Sequence, residues 1–160
     1  MIFPNLLKVF VDVSNKLFIP RFSKFDTIIE VWNWFKQYFI YIIGFYVICG
    51  VVGFYSLEYI IEFFFSEKYS ESSLYGKWMF LSMALAIPAA YLSQIMIYQK
   101  KTKYVYVFTK VNVIVKMLGF TTLLPVFGLW GMVYTLWINM LINNLVMGGY
   151  FFHYIRGSRV

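Results

Sequence analysis

From Met117 to Ile155 the chain carries no Lys, Arg, Asp or Glu, and Pro125, Phe127 and Gly128 fall close together within that run. As a single helix rising about 1.5 Å per residue it would be roughly 58 Å long, about twice the ~30 Å of a bilayer's hydrocarbon core. It must fold back on itself. Proline cannot continue a helix interior and glycine tolerates positive φ, so Leu124-Pro125-Val126-Phe127-Gly128 reads as a tight, uncharged turn between two membrane-crossing helices.

The rest of the chain agrees with a lipid solvent. Of its 160 residues 61% are apolar, 23% aromatic and only 13% charged, which is not the balance of a water-facing surface. A net charge of +7 would suit a nucleic-acid binder only if the cations formed a stripe on a wet face. Here they sit between apolar runs, so the expected partner is the lipid bilayer and no nucleic acid. Cys49 is the single cysteine and lies inside an apolar run, which excludes internal disulfides and cysteine-rich metal sites. Lys8, Asp12 and Lys16 break any signal-peptide core, so the N-terminal segment is expected to be retained.

The expected fold class is all-α integral membrane, with four transmembrane helices preceded by amphipathic helices. Residues 1–36 read as amphipathic cytoplasmic or interfacial helices. In 5–18 the polar residues Asn5, Lys8, Asp12 and Lys16 recur at helical spacing, and Pro20 is expected to stop that helix. Thr27 with Glu30 looks like a capping box for a second piece. Residues 37–160 read as a four-helix transmembrane unit with spans at about 38–65, 78–98, 104–124 and 128–155. Trp32 and Trp34 are expected as interface anchors before the first span, Ser66 to Ser73 as a polar loop, and Pro88 as a kink in the second. Eleven of the fourteen cations fall before span one, around the loop between spans two and three, or after span four. The positive-inside rule then puts both termini in the cytoplasm.

Lys116 is the leading candidate for chemistry. A lysine near a helix centre costs roughly 2.5 to 3.5 kcal/mol on insertion scales, and an intramembrane charge is by default a functional hypothesis. Thr109, Asn112, Lys116 and Gly119 recur every three to four residues and so share one polar, small face of an otherwise apolar helix. That face reads as the cationic wall of a water-filled cavity that meets an anionic substrate group. The plainer alternative is a lysine that snorkels, or that pairs with an acid of another chain. On span four Gly131, Thr135, Asn139 and Asn143 stay near one face with Asn144 beside it. These asparagines either bond sugar hydroxyls or tie neighbouring helices together, at about 0.6 kcal/mol per contact. Ser82, Ala86, Ala89 and Ser93 read as a close-packing stripe, and His153 as an interfacial side chain. Acidic, histidine and nucleophilic groups form no catalytic cluster, so no enzyme, cofactor or metal is expected.

Three segments, in order, resemble the last third of the polysaccharide-repeat-unit (O-antigen) flippases of the multidrug/oligosaccharidyl-lipid/polysaccharide exporter superfamily. Leu17-Phe18-Ile19-Pro20-Arg21-Phe22-Ser23 is similar to the family's Pro-x-hydrophobic-Ser helix ending. Phe63-Phe64-Phe65-Ser66-Glu67-Lys68-Tyr69 is similar to its Phe-Gly-x-x-Tyr loop, with Ser66 in place of the usual Gly. Leu124-Pro125-Val126-Phe127-Gly128-Leu129-Trp130-Gly131 is similar to its Pro-x-(Tyr/Phe)-Gly-hydrophobic-x-Gly turn. The resemblance implies that the four spans correspond to helices nine to twelve of a two-lobed, twelve-helix transporter. The chain would then be a fragment or half of a split flippase in the bacterial inner membrane, completed by a missing N-terminal lobe or another membrane subunit. The implied substrate is an undecaprenyl-diphosphate-linked sugar, with Lys116, Asn112, Thr109, Asn139 and Asn143 as the substrate-binding residues. The competing expectation is a stand-alone four-span protein that carries lipid-linked monosaccharide or serves as a structural subunit of a membrane glycosyltransferase.

Overall fold

The computed structural model describes residues 13, 16, 18, 20–22, 24–65 and 70–157, and these are helical with short turns and no strand. The helices are α1 (Ile28–Phe65), α2 (Ser70–Leu85), α3 (Ile87–Tyr98), α4 (Thr102–Phe127) and α5 (Leu129–Gly157). With α2 and α3 running on as one span, four helices are long and apolar enough to cross a membrane. Most of the amphipathic stretch at 5–18, residues 66–69 of the second motif, and Arg159 lie outside the described residues.

α1 is one rod of 38 residues that passes residues 36 and 37 without a break. The capped piece at Thr27 and the first span are therefore continuous, since nothing between them interrupts the helix. Its start is held as expected: the Glu30 N–H donates to Thr27 Oγ1 at 3.3 Å. Pro20 does not end the helix before it. Pro20, Arg21 and Phe22 are helical, and the chain turns only where Lys24 N–H bonds Arg21 O. A proline forfeits its own N–H but its carbonyl still accepts.

The core lies toward the end of the molecule where α1 begins, α3 meets α4 and α5 finishes. Phe22, Val31, Phe35, Tyr91, Ile95, Met96, Met147 and Phe151 are all within 1% of complete burial. Aromatic edges fill it: the rings of Phe22 and Phe35 lie 5.3 Å apart, and those of Trp32 and Phe151 5.1 Å. Trp32 and Trp34 are half-buried and pack against this core. At the opposite end Lys77 pairs with Glu58, and the Tyr75 ring meets Trp130 at 5.2 Å.

Pro88 breaks span two as its chemistry requires: α2 ends at Leu85, Ala86 is the hinge, and Pro88 sits in the first turn of α3, where a missing N–H costs least. Ser70 to Ser73, expected in a loop, form the first turn of α2. The turn at 124–128 is shorter than the sequence implied. α4 runs through Pro125 to Phe127, and the reversal falls on Gly128, with φ 57° and ψ −135°. Gly128 N–H bonds Leu124 O at 2.9 Å, and Gly131 N–H bonds Gly128 O at 2.9 Å. That backbone conformation admits only glycine at low cost. Gly131 is constrained differently: a Cβ there would collide with the backbone carbonyl of Leu123, so the absent side chain is what lets α4 and α5 close together after the turn.

Candidate functional site

At the level of the Ala86 hinge, α2, α3, α4 and α5 border an open cavity of about 290 Å³, mostly apolar in lining but carrying a set of polar side chains. Asn112 and Lys116 of α4 face Asn139 and Asn143 of α5 across it. Four of the five sequence-predicted residues therefore converge on one space. Thr109 does not. It is exposed, its hydroxyl donates to Val105 O of its own helix at 2.9 Å, and Phe108 takes the cavity wall at that level. Gly119, on the same stripe, is instead the seat on which the buried Thr135 side chain packs.

The electrostatics of this space are unbalanced. From Thr102 to Gly157 there is no Asp or Glu, and Lys116 has no ion-pair partner among the described residues. Asn139 and Asn143 are 6% and 5% exposed, and the Oδ1 atom of each is buried with no hydrogen-bond donor. Two unpaired acceptors beside one unpaired cation form a wall that can take a negative group and hydrogen-bond donors together. An acceptor left in this condition costs roughly 1–3 kcal/mol.

The third wall is the small-residue stripe of span two. Ser82, Ala89 and Ser93 are buried as a packing face should be, and with Ala86 they also line the cavity. Their small side chains leave the volume empty. The Ser82 hydroxyl donates to Met79 O at 2.8 Å and that of Ser93 to Ala90 O at 2.7 Å, so what both turn to other groups is an acceptor oxygen.

Asn144, one position away, has the other role. Its Nδ2 donates to Leu85 O at 3.0 Å and to Met140 O at 3.1 Å, taking one of the terminal carbonyls of α2 at the hinge. Among the described residues no group of three or more His, Cys, Asp or Glu side chains lies close enough to hold a metal ion.

Fold and site together define a multi-pass helical membrane protein with an open cavity part-way along its spans into which one lysine and three asparagines face. No family model matches the sequence, and comparisons with curated proteins and with solved structures returned no match.

Proposed function

We propose that the chain forms part of a transporter that moves lipid-linked oligosaccharide, such as a polysaccharide or O-antigen repeat unit, across the bacterial inner membrane. The observation that carries this reading is the cavity itself, in which Lys116 stands with Asn112, Asn139 and Asn143 and two buried acceptor oxygens lack donors. An undecaprenyl diphosphate offers negative charge for the ammonium. Its sugars offer hydroxyl donors for the amide oxygens. Charged groups within a span face cavities or partners and mark substrate paths, which is the setting Lys116 has here.

The open side of the cavity calls for a second wall, supplied by an N-terminal lobe or another membrane subunit. The described cations Arg21, Lys24, Lys36, Lys100, Lys101, Lys103 and Arg156 all lie toward one end of the bundle, and the positive-inside rule assigns that end and both termini to the cytoplasm. The runner-up is a stand-alone four-span protein, either a small lipid-sugar carrier or a structural subunit of a glycosyltransferase complex. It draws on Asn144, whose amide ties α5 to α2 as structural asparagines do. A stable homo-oligomer of the purified chain would favour it.

The test is genetic. Deleting the gene should remove a surface glycan, and Lys116→Ala at equal protein level should fail to restore it, whereas Lys116→Arg should restore it in part. Full display by Lys116→Ala would remove the ammonium from the substrate path and sink this reading.

A further inference from the structure

A second polar site lies at the other depth of the molecule, where α3 gives way to α4. The chain reverses over Gln99, Lys100 and Lys101, with Lys100 at φ 57°. Gln99 Nε2 donates to Phe25 O at 3.4 Å, which docks this turn onto the segment ahead of α1. The docking leaves a cleft on either side of Gln99. One, of about 380 Å³, is bordered by Lys100, and the other, of about 280 Å³, by Lys101 and Tyr154; Asp26 and Gln99 line both.

The charges here are available. The Lys101 ammonium lies 4.9 Å from the Tyr154 ring centroid, and hydrogen bonding to Tyr154 raises its pKa above the ordinary lysine value, so it is fully cationic at neutral pH. Lys100 and Asp26 are exposed, and neither has an ion-pair partner among the described residues. Gln99 spends its amide N–H on Phe25 and keeps its Oε1 as an acceptor. Because span two ends at Tyr98 and span three begins at Thr102, the turn sits at head-group depth. Basic pockets between helix ends at that depth suit anionic head groups.

We propose that the paired clefts hold the phosphoglycerol head group of an anionic phospholipid. The phosphate lies against the Lys100 and Lys101 ammonium groups, and the glycerol hydroxyls donate to the Asp26 carboxylate and Gln99 Oε1. This site is independent of the Lys116 cavity, so either can fail without the other.

The experiment is lipid binding to the full chain in neutral detergent, read by native mass spectrometry. Phosphatidylglycerol should remain bound where phosphatidylcholine does not. Lys100→Gln and Lys101→Gln should each weaken retention about fivefold, and the pair about 25-fold, the effect expected of lysines at a membrane surface. Asp26→Asn should narrow the preference for phosphatidylglycerol over phosphatidic acid, since only the former carries the extra hydroxyls. If a lysine variant does not fold, the corresponding Lys→Arg change should fold and keep the lipid. Equal weakening by Lys36→Gln would indicate diffuse attraction, and displacement by soluble glycerol 3-phosphate at equal concentration would indicate a site for a water-soluble phosphate. Either result overturns the proposal, as does equal retention of phosphatidylcholine.

Discussion

Replacing Asn139 by leucine should make this protein more stable, and under the proposed function it should also abolish glycan export. The two side chains share one branched skeleton, and the extra bulk of the leucine methyls can enter the cavity that Asn139 borders, so the change removes a polar group without forcing the core apart. Asn139 is 6% exposed and its Oδ1 has no donor, which makes it a buried unsatisfied acceptor costing roughly 1–3 kcal/mol. For a chain of this size each kcal/mol corresponds to about 2–4 °C in the unfolding midpoint. Asn144→Leu provides the opposite sign. That amide makes two hydrogen bonds, to Leu85 O and Met140 O, and intramembrane bonds of this kind average about 0.6 kcal/mol with a maximum near 1.7. The assay is thermal unfolding of the purified chain with a thiol-reactive fluorophore, for which Cys49 is the built-in reporter. Asn139→Leu should melt above the parent and Asn144→Leu below it. If both melt below the parent by similar amounts, the Asn139 amide is a structural tie like Asn144 and the cavity has lost its unpaired acceptor.

Three further outcomes follow from the fold. Gly128→Ala places a Cβ on a backbone at φ 57° and should cost about 1–3 kcal/mol, seen as a lower melting midpoint; no loss would mean that the turn relaxes freely. Gly131→Ala drives a methyl into the Leu123 carbonyl and should cost a similar amount by overpacking, with the α4–α5 seam opening first in hydrogen exchange. Reporter tags at the two termini should give the same, cytoplasmic, reading, and a tag inserted at Gly128 the opposite one.

Much of this architecture can be read from residue order. The charge-free run after Lys116 requires two crossings, and Pro88 and Gly128 fall where the helix breaks and where the chain turns. Helical spacing alone placed Asn112 with Lys116 and Asn139 with Asn143. What spacing could not give is enclosure and which ridge of the helix meets it. The cavity follows the i, i+4, i+8 row of Phe108, Asn112 and Lys116, so Thr109 turns out of it although it lies no further along the axis than Phe108. Position in the sequence marks Trp32 and Trp34 as interfacial but does not show their packing: Trp34 meets Phe18 and Phe22, and Trp32 meets Phe151 and Phe152 from the far end of the chain. The stripe from Ser82 to Ser93 illustrates the same limit: its side chains are buried as a packing face should be, but spacing did not show that they also border the cavity.

The water-filled nature of the space around Lys116 is tested most directly by cysteine accessibility on α4. In a Cys49→Ala background, Asn112→Cys lines the cavity while Ile114→Cys, two residues on, is 54% exposed toward what should be lipid. Only a thiolate reacts, and thiolates form in water and not in hydrocarbon. A membrane-impermeant thiol reagent should modify Cys at 112 rapidly and leave Cys at 114 untouched in intact membranes. Equal reactivity at the two positions, or none at 112, would contradict a water-filled cavity inside the bundle.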